Sequence, residues 1–410
     1  MKRFISLFLV ASSVFLICSC GKNKKLMVDI SGFSEEELKT YVSDNGLELT
    51  VNEVYSDDYP VGSYFNQSIK VDEDLSLNKS LTVDKVIGTK EDEIKHFKDI
   101  YSSNNVNELG RVPIMMYHGI HNKKNDETKY TGGNVDKDGY QRTAEAFRAD
   151  LDFYYNSGYR MVRLNDYVNG IIDVELGKSP LIITFDDGLQ NNVNVTGLDD
   201  KGEIIIDPNS AVGILEEYKK KYPDFNVTAT FFVNAGIFNQ EEYNEKILHW
   251  MVDHGYDIGN HTANHPDFTT IDYDKSSREV GYIYDMLDQY IPGKYVNIVA
   301  LPFGSPYKTS HANYNAIVNS SYNGKSYTTI SCLRVGWEAD YSPFSSDFDK
   351  SFLKRIRAYD NNGVEFDISM NFGILEKNRY ISDGDPKKIT FKESDSAKFV
   401  NNYNLDVFKY

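Results

Sequence analysis

Cysteine is nearly absent from this chain: its 410 residues include only Cys18, Cys20 and Cys332. Two of these fall within the first twenty positions, so the folded body keeps one thiol and needs no internal disulfide. A basic excess is lacking too. The net charge is −17, and without a lysine and arginine stripe to neutralise phosphates, binding to nucleic acid is not expected. No solenoid-type repeat or low-complexity tract occurs. The long apolar run, residues 4–17, has 14 positions, short of the roughly 20 that span a bilayer. Aromatic rings, by contrast, are plentiful, with 30 tyrosines and 23 phenylalanines. Most such rings pack a core, and in a polymer-binding enzyme some stack on sugars.

Lys2 and Arg3 ahead of that apolar run make an export leader, to be excluded from the fold. The stretch "ICSC" resembles a bacterial lipobox, with Ile17 and Ser19 ahead of Cys20. The resemblance implies a lipoprotein signal over residues 1–20, with cleavage before Cys20, lipid on the Cys20 sulfur, and attachment to the extracytoplasmic face of the cell membrane. Residues 21–27, "GKNKKLM", read as a tether.

Residues 28–88 read as a small α+β module. Ser34 followed by Glu37 forms a capping-box pattern, Leu38, Tyr41 and Val42 give an apolar face, and Gly46 stops the helix. "LELTVNEV", "GSYFNQS" and "SLTVDKVI" then read as strands. This order resembles a PASTA module, with Ile69 where that family usually has proline. Such modules serve as spacers or as wall-binding units. Residues 89–110 read as a linker helix.

From residue 111, beginning "RVPIMMYHGI", apolar strand-like runs alternate with amphipathic helices, the pattern of an α/β domain with a parallel sheet. "FRADLDFYYNSG" places Phe147, Leu151 and Tyr154 on one helical face, stopped at Gly158. "LIITF", "VTATFFV" and "VNIVALPFG" are short and apolar, as strands covered on both sides are. The insert 189–210 reads either as a surface hairpin or as a wall of the cleft. Residues 376–410 form a C-terminal extension.

"LIITFDDG" sets Asp186 and Asp187 at a strand's carboxyl end, where α/β folds place their sites. Adjacent carboxylates cost free energy unless something positive compensates them. In "GNHTANH", His261 and His265 are four apart, so a helical turn would project both rings from one face. Two histidines and one carboxylate make a set of metal ligands with positions left for water and substrate, and the second carboxylate stays free as a base.

Together "TFDDG", "HTANH" and "LPFG" resemble the polysaccharide deacetylase family over residues 111–375. The resemblance implies a distorted (β/α) barrel and a divalent ion, zinc ahead of cobalt, nickel or manganese. It implies Asp187, His261 and His265 as ligands, Asp186 as general base, and Pro302, Phe303 and Gly304 at the oxyanion and substrate. A polysaccharide is then the partner, acted on by a monomer.

Two features depart from the family. Ala300 stands where many members carry an arginine that holds the base, and no histidine follows His311 to serve as acid. "PIMMYHGI" resembles the permuted subgroup acting on poly-N-acetylglucosamine, in which an early histidine is the acid, and His118 takes that place. His121 is its neighbour in sequence. His249 and His254 read as packing or surface groups, Trp337 as core or cleft lining, and Cys332 as an inert buried thiol. The expected activity is hydrolysis of N-acetyl groups on N-acetylhexosamine units of a cell-wall or exported polysaccharide. The alternative is a catalytically silent wall-binding lipoprotein. A glycosidase fits poorly, because adjacent aspartates cannot face each other across a sugar.

Overall fold

The computed structural model describes residues 24–122, 141–336, 338–359 and 368–410. The expected leader with Cys20 and the residue Trp337 therefore lie outside the described residues. The chain divides into two compact units, Met1–Asp99 and Ile100–Tyr410.

In the first unit, helix Glu35–Asn45 starts at Ser34. Its hydroxyl accepts the Glu37 N–H while the Glu37 carboxylate accepts the Ser34 N–H, satisfying two end donors reciprocally. The helix ends at Gly46, whose φ of 65° suits glycine. Strand Ser80–Gly88 is central, parallel to Glu48–Tyr55 and antiparallel to Tyr64–Phe65. Leu38, Val42, Leu81, Val83 and Ile69 close the core between helix and sheet.

The second unit is built on eight strands: β1 (Ile114–Tyr117), β2 (Tyr159–Met161), β3 (Ser179–Phe185), β4 (Thr230–Val233), β5 (Asp257–Asn260), β6 (Ile298–Ala300), β7 (Ser331–Leu333) and β8 (Ile356–Arg357). Their order is β7-β6-β5-β4-β3-β1-β8, with β2 also on β3, and every pairing is parallel. Strand β3 is buried at every position, as an apolar strand covered on both faces should be. Helix Ala144–Asn156 turns Phe147, Leu151 and Tyr154 inward, as their spacing predicts. Within 189–210, strands Val195–Leu198 and Ile204–Ile206 pair antiparallel, so the insert is a hairpin.

The sheet curls until one segment touches both of its edges. Leu353 bridges Leu333 of β7, and Ile356 and Arg357 pair with Met115 and Met116 of β1. Arg355 lies on this seam, fully buried. Residues 376–410 pack into the same unit: Tyr380, Ile389 and Phe391 join a core cluster with Ile114 and Ile182.

Three acidic side chains anchor that C-terminal part. Glu108 accepts the N–H groups of Asp383 and Thr390, at 2.9 and 2.6 Å. Carboxylate oxygens of Glu108, Asp173 and Asp383 lie within 4.8 Å of one another. Burial, then the Asp383 charge, pushes Glu108 well above the usual range and Asp173 up to about 7. The folded cluster thus keeps protons that an unfolded chain releases above pH ~4. Stability should therefore fall as pH rises from about 5 to 8, by on the order of 2 kcal/mol. Urea unfolding at both pH values checks this. Glu108→Gln should flatten the fall, and an unchanged slope would remove the cluster as its cause.

Candidate active site

Asp186 continues the ladder beyond β3, its N–H donating to Tyr117 O at 2.9 Å. The chain then turns through two left-handed residues, Asp187 with φ 73° and Gly188 with φ 54°. A Cβ on Gly188 would stand 2.1 Å from the Ile237 carbonyl oxygen, so only glycine allows this approach. The turn leaves Asp186 buried and Asp187 partly open.

His261 likewise extends β5, its N–H bonded to Val233 O at 3.0 Å. The helical turn expected over residues 261–265 is not formed. Thr262 and His265 have φ of 66° and 53°, which no right-handed helix accommodates. A network of side chains shapes the loop instead. Asn234 donates to the carbonyls of His261 and Thr262, Asn260 accepts the Thr262 N–H, and the Thr262 hydroxyl accepts the His265 N–H. Buried Glu279 accepts both the N–H and the side-chain amide of Asn264. Left-handed backbone at non-glycine residues costs about 1–3 kcal/mol each and collects at functional sites.

These turns bring the three expected ligands together. Asp187 Oδ1 is 3.1 Å from His261 Nε2 and 3.5 Å from His265 Nε2. His261 Nδ1 lies 2.8 Å from Ala300 O, an acceptor only, so that nitrogen carries the hydrogen. In the neutral ring the Nε2 lone pair then faces a carboxylate oxygen, a repulsive pairing unless a cation or a proton stands between them. Metal-binding histidines commonly donate their other ring N–H to such a carbonyl, which fixes the tautomer. The three residues fit a divalent ion, with His265 and Asp187 open to the surface.

Asp186 has a different partner. Arg355 grips it with two hydrogen bonds, Nη1 to Oδ1 and Nη2 to Oδ2, both 2.7 Å. Its Nε donates to Arg334 O at 2.8 Å, and Nη1 also reaches the Thr184 hydroxyl. Burial pushes the Asp186 carboxyl up, but the Arg355 guanidinium and the nearby histidines outweigh it and hold the group well below the usual range. The arginine missing at Ala300 is thus matched by one from the seam of the sheet. The cation opposite Asp186 is a side chain, whereas the sequence had pointed only to a metal.

His118 follows β1 and is 8% exposed, its Nε2 3.9 Å from Asp186 Oδ2. Its carbonyl accepts the Asn192 amide at 2.6 Å. Burial pushes the imidazole down, against the pull of Asp186 and Asp187. Pro302–Gly304 forms a single turn after β6, with Phe303 at φ 57° and its ring 4.7 Å from that of His265. The other histidines of the second unit serve their own elements. His249 is exposed on helix Asn244–Asp253, His254 stacks on Trp250, His311 caps helix Ala312–Val318, and His121 ends strand Gly119–His121. Cys332 is buried in β7, its thiol pushed up to about 12 by burial.

Residues 173–319 match the family model for polysaccharide deacetylases. The chain is similar in structure to the Streptococcus pyogenes deacetylase PplD in complex with acetate, at 19% identity and a TM-score of 0.46, covering 64% of this chain and 98% of that one. A de-N-acetylase from Aggregatibacter actinomycetemcomitans is similar at 12% identity and a TM-score of 0.39, covering 62% and 96%. No curated protein matches the chain.

Proposed function

We propose that this chain is a hydrolase that removes N-acetyl groups from N-acetylhexosamine units of a cell-wall or exported polysaccharide. The observation that carries the reading is the convergence of Asp187, His261 and His265 beside the buried Asp186–Arg355 pair and His118. The match of residues 173–319 to the deacetylase family supports it.

A divalent ion on Asp187, His261 and His265, most simply zinc, would polarise the acetamide carbonyl and acidify water there. Asp186, kept ionised by Arg355, accepts the proton that water loses as it attacks the carbonyl carbon. The N–H of Phe303 is the backbone donor proposed for the oxygen that becomes negative. His118 delivers a proton to the departing nitrogen, without which an amine leaves poorly. Resetting the site then requires a proton to pass from Asp186 to His118, which are 3.9 Å apart. A silent binder would have no use for a buried arginine clamped on one aspartate beside a set of metal ligands.

The test is acetate release from N-acetylated peptidoglycan, poly-N-acetylglucosamine, chitin oligomers and acetylated xylan, with and without chelator. Protein lacking residues 1–20 should carry about one divalent ion per chain. His261→Ala with His265→Ala should lose both ion and activity. Full metal occupancy in that double variant would sink the metal assignment. Release from none of the polymers would sink the deacetylase reading. Anchoring through Cys20 is proposed from the leader alone, and recovery of a Cys20→Ala protein with membranes would remove it.

A further inference from the structure

The two most exposed aromatic rings among the described residues share one short loop after β6. Phe303 is 56% exposed and Tyr307 63%, while no other described aromatic exceeds 45%. Fraying does not explain this. Leu301, Pro302, Gly304, Ser305 and Pro306 are all buried. The Ser305 hydroxyl accepts the Phe268 N–H at 2.9 Å, and Gly304 lies against Val335. The loop is thus a fixed frame that holds two rings in water.

Their position gives the exposure a use. The Phe303 ring touches that of His265, so the loop borders the metal-ligand set. Tyr307 follows four residues later, at most roughly 14 Å along the chain. Beyond it, Lys308, Thr309 and Ser310 are exposed and polar, so the rings do not belong to a broad apolar patch. A pyranose with equatorial substituents presents a face of C–H groups, and packing it on an aromatic ring removes apolar surface of both from water. The tyrosine hydroxyl adds a hydrogen-bonding partner for a sugar hydroxyl. A few rigid rings with polar groups beside them are what a ligand groove displays.

We infer that Tyr307, together with the outer face of Phe303, is a stacking platform for pyranose rings adjoining the one that loses its acetyl group. The site therefore takes a β-linked N-acetylhexosamine chain in preference to a free monosaccharide. This rests on the deacetylase reading above, and Tyr307 itself stands outside the catalytic groups.

Binding and turnover separate the two ideas. Calorimetry on metal-loaded Asp186→Asn protein, titrated with β-1,4- and β-1,6-linked penta-N-acetylglucosamine, should show binding of at least one pentamer. Adding Tyr307→Ala should weaken it roughly tenfold, and Tyr307→Trp should retain it. With the catalytic groups intact, Tyr307→Ala should raise KM for that pentamer roughly tenfold at nearly unchanged kcat. Hydrolysis of 4-nitrophenyl acetate, which has no sugar, should not change. Pentamer affinity unaffected by Tyr307→Ala, or binding of neither pentamer, overturns the platform. Tyr307-dependent binding without any acetate release keeps the platform and removes the deacetylase reading.

Discussion

Arg355→Met is expected to destabilise the protein by about 3–5 kcal/mol and to abolish turnover, the cost typical of breaking a buried ion pair from one side. Arg355 is fully buried, and both of its Nη atoms are committed to Asp186. Removing it strands a carboxylate that is itself 1% exposed. The folded-state pKa of Asp186 is depressed. The stability that the pair contributes is therefore present above the unfolded carboxyl pKa of ~4 and lost as pH falls toward the folded value. Because the single variant could fail to fold, the informative comparison includes Arg355→Met combined with Asp186→Leu. That double variant leaves no charge stranded and should be more stable than Arg355→Met alone, though inactive. Denaturant unfolding of the parent, Arg355→Met, Asp186→Leu and the double variant gives the coupling between the two residues. If Arg355→Met alone is as stable as the parent, the guanidinium is not what compensates Asp186.

That pair also marks where reading the sequence stopped. The grouping of Asp187, His261 and His265 was legible because metal chemistry restricts residue type, and "FDDG" and "HTANH" each set those types within a few positions. The conformation of the second motif was not legible. A four-residue spacing fits a helical turn, yet Asn234, Asn260 and Glu279 supply hydrogen bonds that hold a left-handed loop, and they lie outside the motif. Arg355 was harder still. It sits 169 positions from Asp186 in "LKRIR", among Lys354 and Arg357, and hydropathy gives no reason to bury one of the three. Only the curl of the sheet, which makes residues 353–357 touch both edges, selects it. A signal did exist. Asp186 is not among the expected ligands, and with Ala300 in place of the usual arginine its positive partner had to come from another part of the chain.

His118→Ala is expected to keep the fold and the metal ligands but to lower amide turnover by roughly 10²–10⁴-fold, the contribution of a positioned acid. The ring stands 3.9 Å from Asp186 and is not one of the three proposed ligands, so its loss should spare ion binding. Turnover alone would not identify an acid, because a displaced neighbour could produce the same deficit. The nature of the leaving group does discriminate. An acetamide expels an amine, which needs a proton as the bond breaks, whereas 4-nitrophenyl acetate expels a stable phenolate that does not. His118→Ala should therefore be severely impaired on an N-acetylated sugar and much less so on the aryl ester. Asp186→Asn should be impaired on both, since water must lose its proton in either reaction. Equal deficits for His118→Ala on the two substrates would show that the imidazole acts before the leaving group departs. His118 would then be the group that deprotonates water, and Asp186, clamped by Arg355 and depressed in pKa, would be a fixed negative charge beside it.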